Sequence, residues 1–324
     1  MPKRFVEDIL IEDNTRFTQL PIKYNDLQDM YWIAESTFWS SKEIDYSADL
    51  SDWETLTDQE KYFIENILAF FAGSDGIVLE NLMKNFCYEV KCSEARNFYA
   101  FQSMIENVHG MTYSLLLDTF VKDKKRKEDL FNAIDTIPAV EKKAKWALKW
   151  LSNDRPFEER LLAFVFVEGI FFSASFCCIF WLKSRNKMTK ALGKSNELIS
   201  RDEALHTSFG ILLYKHLKNK VSQEKVEEII NEAVNIETEF IVDSIPCKMI
   251  GMNSELMTQY IKYVADRLLI ELEFNKIYNV NNPFDFMKSF ALDGKTNFFE
   301  ARVSEYQHSS TAKATEDSWD FGDD

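Results

Sequence analysis

The chain has few of the residues that break helices: nine glycines and six prolines in 324 positions. That scarcity excludes collagen-like and Pro/Gly-rich disordered classes. It leaves room for long helical windows. Cysteine is scarce as well. The thiols at positions 87, 92, 177, 178 and 247 form no Cys-x-x-Cys pair and are odd in number, which excludes a redox dithiol and points to reduced thiols in a cytoplasmic protein. Positive charge is outweighed, with 38 Lys and Arg against 53 Asp and Glu, a net charge of −15 and a pI near 4.9. Broad binding to nucleic acid or to an anionic membrane needs clustered cations and is excluded on that ground. The one basic run, Lys122-Asp-Lys-Lys-Arg-Lys127, reads as a solvated turn. The opening MPKRFVEDILIEDN lacks the apolar core of a signal peptide and is too acidic for a transit peptide. Neither an internal repeat nor a Gly, Pro or Ser-rich linker divides the chain.

What is present is apolar and aromatic: 46% hydrophobic and 14% aromatic residues, with 27 phenylalanines. The length alone suggests about two domains, or one long-helix domain with insertions. Apolar residues recur at helical spacing, so the fold class is all-α. Helices are expected over 26–38, 57–89, 93–121, 139–151, 157–184, 195–219, 222–245 and 253–278. Thr57-Asp-Gln-Glu60 and Ser222-Gln-Glu-Lys-Val-Glu227 carry helix-start signals, an N-cap followed by acids in the first turn. Leu161 to Leu182 is apolar for long enough to span a bilayer. It carries Glu168 in its interior, and its flanks are charged and amphipathic, so the centre of a large bundle is the better reading. From Ser304 the composition turns polar, small and acidic, as in a disordered tail, with Trp319 and Phe321 among acids as interaction anchors. The expected organisation is an arm over 1–20, a helical domain over 21–303 and a tail over 304–324.

The chemistry lies in a repeated pair. Glu106 and His109, three apart in MIENVHGMTY, recur as Glu203 and His206 in SRDEALH. Three-residue spacing puts both side chains on one helix face. Both pairs stand among large apolar residues, where an unpaired charge is costly. A third match, Glu305 and His308, falls in the tail and is read as coincidence. Two further acids have apolar surroundings, Asp75 in ILAFFAGSDGIVLENL and Glu168. Each has an ordinary alternative: a satisfied core hydrogen bond for the pairs, a turn at Gly-Ser-Asp-Gly for Asp75, a membrane acid for Glu168. Taken together, four carboxylates and two histidines on four helices match the ligand set of ferritin-like carboxylate proteins that hold two metal ions in a bundle. Without a thiolate, such a set suits iron or manganese. Tyr113 follows His109 by one turn, and Phe172 and Phe176 follow Glu168 at intervals of four. A phenol beside an oxygen-activating metal pair and walled by phenyl rings is arranged for one-electron oxidation, although spacing alone also fits a core tyrosine.

These residues as a set resemble the small, radical-generating subunit of class I ribonucleotide reductase, in its eukaryotic and viral type. Phe38-Trp39, SDGIVLENL, IENVH, VEGIFFSASF, SNELISRDEALH, NPFDFM and GKTNFFEARVSEYQ carry the resemblance over nearly the whole chain. It implies a ferritin-like bundle with a di-iron-oxo centre ligated by Asp75, Glu106, His109, Glu168, Glu203 and His206, manganese being admitted by the same ligands. It makes Tyr113 the radical site and Phe172, Phe176 and Ile199 its apolar pocket. Trp39, Asp202 and His109 would form the radical-transfer path, with Arg201 in support and Tyr306 as the relay on the tail. Dioxygen would drive radical formation, and a separate large subunit, docked through the tail of a homodimer, would then reduce ribonucleoside diphosphates for deoxyribonucleotide synthesis and DNA replication.

Three features depart from the pattern: Gly110-Met-Thr112 after His109 where relatives place serine and often an acid, a tail ending WDFGDD without a terminal aromatic residue, and a short region before the first helix. The rival readings are a stand-alone ferritin-like di-iron oxidase and an iron-storage or purely structural bundle. Asp75 as first ligand, Tyr113 and Tyr306 argue against the former, and the chain length argues against storage.

Overall fold

A computed structural model describes residues 4–12 and 17–287. Among the described residues there is no strand. The helices are α1 (Asn25–Ser36), α2 (Leu50–Thr55), α3 (Asp58–Asn81), α4 (Cys87–Glu89), α5 (Ser93–Phe120), α6 (Lys124–Phe131), α7 (Ala133–Thr136), α8 (Pro138–Trp150), α9 (Phe157–Phe166), α10 (Ser173–Ser184), α11 (Leu192–His216), α12 (Gln223–Thr238) and α13 (Ser254–Glu271). Three π segments, Leu82–Phe86, Val167–Phe171 and Glu239–Ser244, link or extend them.

Local chemistry explains the starts. Thr57 and Glu60 form a reciprocal capping box at α3, and Ser222 caps α12. Asp123 caps α6 by accepting from Arg126 N at 2.7 Å. The basic run is therefore the first turn of a helix and not a solvated turn: Arg126 pairs with Glu65 and Lys127 with Asp118, each on a neighbouring helix. The last expected helix ends early, at Glu271 and not at 278. There Asp266 accepts from the backbone N–H of Ile277 and Tyr278, both at 3.0 Å, and folds the following chain back along α13.

The core is built around the segment from α9 through the π turn to α10. Every residue from Leu161 to Phe180 is buried. Two stretches, Asp58–Glu89 and Phe157–Ser184, have the length and apolarity of membrane spans, and the apolar window of the second is buried throughout. Burial inside protein accounts for its hydropathy without a bilayer. α3 packs along α5, α11 packs against α5, α9 and α10, and α1, α8, α12 and α13 close the outside. The inner faces of α3, α5, α9–α10 and α11 thus converge on one interior.

Candidate metal centre

Asp75 lies mid-helix in α3, not in a turn, despite its Gly-Ser-Asp-Gly context. Glu106 and His109 come from α5, Glu168 from the π segment, and Glu203 and His206 from α11. All six side chains are buried. Donor atoms of Glu106, Glu168, Glu203 and His206 lie within 4.8 Å of one another, and those of Asp75, Glu106 and His109 do likewise. Glu106 belongs to both groups. Nδ1 of His109 stands 3.4 Å from Glu106 Oε2 and 3.0 Å from Glu203 Oε1. Nδ1 of His206 stands 3.0 Å from Glu106 Oε1 and 3.5 Å from Glu203 Oε2.

Close approach does not amount to hydrogen bonding here. Both oxygens of Glu106 and of Glu203, Asp75 Oδ2, Glu168 Oε2 and Nδ1 of both histidines are buried without a hydrogen-bond partner. Buried polar atoms are nearly always satisfied, and orphans that converge on a point mark the place of an ion. The donors fit two oxygen-preferring divalent cations.

Electrostatics agree. Burial, then the charge of Glu106, pushes Asp75 well above the carboxylate range. Glu168 is raised likewise, mainly by burial, although Gln102 donates to its Oε1 at 2.6 Å. Burial opposes ionisation of Glu106 too, but the close approach of the His109 and His206 rings outweighs it and lowers its pKa. For His109, burial is overcome by Asp202, Glu106 and Glu203, which hold the ring protonated well above its ordinary range. The protons held on Asp75, Glu168 and the two rings are what a metal ion would displace on binding.

Around the cluster lie two further arrangements. The Tyr113 hydroxyl is buried with no hydrogen-bond partner, and burial followed by the negative charge of Asp75 raises its pKa well above the ordinary phenol value. Phe71 stacks on its ring at 4.6 Å and 8°, and Phe176 and Phe172 pack on Phe71 at 4.9 and 5.8 Å. Ile199 is buried on α11, one turn before Glu203. In the other direction, Asp202 Oδ2 accepts from Trp39 Nε1 at 2.7 Å and lies 3.2 Å from His109 Nε2. Arg201 donates to Asp202 Oδ1 at 3.1 and 2.9 Å and to Thr37 O at 2.8 Å. Tyr306 and the tail lie outside the described residues.

Two residues escaped the sequence reading. Phe71 precedes Asp75 by four and Gln102 precedes Glu106 by four, so each shares a helix stripe with a candidate ligand, a signal available from spacing.

Comparison with known proteins places this geometry. The family described as ribonucleotide reductase, small chain, matches residues 16–283. The ribonucleoside-diphosphate reductase subunit M2 of Danio rerio is 55% identical over 312 residues, covering 96% of this chain and 81% of that protein. The small chain from Variola virus is 57% identical over 302 residues, covering 93% and 94%. Among solved structures, the Rnr4 homodimer of Saccharomyces cerevisiae superposes with a TM-score of 0.82 at 36% identity, covering 93% of each chain.

Proposed function

The chain belongs to the ribonucleotide reductase small-chain family, and from that premise we propose that its six buried ligands hold two metal ions that equip Tyr113 to become a radical. Membership makes it the small subunit of ribonucleoside-diphosphate reductase, an oxidoreductase with a ferritin-like helical fold. The observation that carries the metal reading is the set of orphaned donor atoms on Asp75, Glu106, His109, Glu168, Glu203 and His206. When bound, reduced iron supplies the one-electron oxidising power, drawn from dioxygen, that a phenol requires; manganese is admitted by the same donors.

The chain's own residues do the rest. Burial and the surrounding carboxylates keep Tyr113 neutral, so losing an electron also means losing its proton. Phe71, Phe172 and Phe176 form an apolar wall on that side and exclude the water that would quench a phenoxyl. His109, Asp202 and Trp39 form an unbroken path from the cluster outward, with Arg201 holding the carboxylate between them. Tyr306 is the relay beyond it, and the tail over 304–324 docks the large subunit, which does the nucleotide chemistry. The active small subunit works in the cytoplasm as a homodimer, the state in which its yeast structural relative was solved.

The test is low-temperature electron paramagnetic resonance on metal-free protein loaded anaerobically with ferrous iron and then exposed to air. The expected result is a tyrosyl signal that Tyr113→Phe abolishes while both irons remain bound. Full metal uptake with no tyrosyl signal, or a signal that survives Tyr113→Phe, overturns the assignment.

A further inference from the structure

Lys143 is a lysine in the wrong place for stability alone. It lies on α8, 2% exposed, and its ammonium pairs with Glu237 of α12, which is fully buried. Burial pulls the lysine down to about 8 and pushes the glutamate up to about 7. The ammonium sits 3.7 and 3.6 Å from the ring centroids of Phe70 and Phe240. Well-packed apolar residues commonly do as well as such a pair, so its stabilising value does not explain its presence.

Its location does. The π segment Val167–Phe171 carries Glu168, and α10 resumes at Ser173. A π turn shifts the hydrogen-bond ladder by one residue, so backbone groups where it ends need other partners. Lys143 Nζ donates to Phe171 O at 2.9 Å, and Glu237 holds the ammonium in that place. The ion pair therefore anchors the last carbonyl of the π segment, directly before Phe172. The same segment is held on another side: a Cβ on Gly169 would stand 2.8 Å from Leu268 Cδ1 and 3.1 Å from Thr207 Cγ2. Phe70, under the ammonium, packs edge-on against Phe172 at 5.8 Å and adjoins Phe71, the ring stacked on Tyr113.

We propose that the Lys143–Glu237 pair is a positioning device for the metal centre: it anchors the backbone carbonyl where the π segment ends, fixing the turn that carries Glu168 and the Phe172 wall beside Tyr113. The pair touches no ligand atom. It acts through the backbone, as outer partners of metal ligands do, and such partners are commonly worth ten- to a hundredfold in metal affinity. This inference rests on the metal reading above.

The test uses manganese(II), added to metal-free protein and followed by loss of the free-ion resonance. Three proteins are compared: wild type, Lys143→Met, and Lys143→Met with Glu237→Leu. Wild type is expected to take up two ions. Lys143→Met binds one of them about tenfold or more weakly. The double variant, having no lone buried charge, recovers thermal stability but not manganese affinity, because the anchor on Phe171 O is still missing. A double variant with wild-type affinity shows that the pair is a structural element only, and overturns the inference even where Lys143→Met alone fails to fold. Wild-type protein that takes up no manganese or iron overturns the metal reading, and this inference with it.

Discussion

Asp202 has no spare valence. One oxygen accepts from the Trp39 indole and faces His109, while the other takes two bonds from Arg201. Burial opposes its ionisation, but His109, Arg201 and Trp39 outweigh that and keep its pKa below the ordinary value. A carboxamide matches its shape but has one acceptor oxygen, so Asp202→Asn turns an NH₂ towards either Arg201 or the Trp39 and His109 donors. None of the six candidate ligands is replaced by that change, and iron supplied at saturation offsets the loss of the carboxylate behind His109. Asp202→Asn should therefore retain a tyrosyl signal within about twofold of wild type while nucleotide reduction with the large subunit falls about a hundredfold or more, the scale of a lost proton relay. Normal turnover in that variant would take Asp202 off the path. Residues of this kind differ in how legible they were. Glu106, His109, Glu203 and His206 announce themselves because a three-residue spacing repeats among apolar neighbours. Asp75 is masked by two glycines and a serine that locally spell a turn, and only the helix around it, packed along α5, overrides that signal.

At the scale of elements, the least legible feature is how α11 begins. No side chain of its own caps it. Instead Asp49, fully buried and some 140 positions upstream, accepts from the backbone N–H of Lys190 at 3.0 Å, Ala191 at 2.8 Å and Leu192 at 2.9 Å. A cap supplied from so far away leaves no trace in local spacing. It also ties the stretch that carries Trp39 to the helix that carries Asp202, Glu203 and His206. Asp49→Ala leaves those amides without an acceptor and should cost about 2 kcal/mol. For a chain of this size that lowers the thermal midpoint by roughly 3 °C, measurable by calorimetry on the metal-free protein. An unchanged midpoint would mean that the cap contributes nothing. The π segments were equally hidden. The reading of 57–89 and 157–184 as single helices matches their extent, but helix propensity does not distinguish an α turn from a π turn, and the shift at Val167–Phe171 is set by tertiary contacts at Gly169 and Phe171.

For the whole molecule, the question is how the radical proposed at Tyr113 reaches another protein. The bundle encloses Tyr113 and the six candidate ligands, so on the proposed reading delivery depends on the His109–Asp202–Trp39 path and on residues beyond the described core. Residues 304–324 carry Tyr306, an acidic background and two aromatic anchors, Trp319 and Phe321. Docking and relay are separable along this tail. Removing residues from Lys313 onward deletes the anchors and spares Tyr306, so the concentration of large subunit needed for half-maximal turnover should rise at least about tenfold, the equivalent of some 1.4 kcal/mol of lost binding. Turnover at saturation should stay near wild type. Tyr306→Phe should do the reverse, leaving the half-saturating concentration unchanged and removing turnover at any concentration. In both variants the tyrosyl signal should equal that of wild type, because the six candidate ligands all lie among the described residues. If the Lys313 truncation binds the large subunit as tightly as the full chain, the anchors lie elsewhere on the surface; if Tyr306→Phe turns over normally, the radical leaves the bundle by a route that does not use the tail.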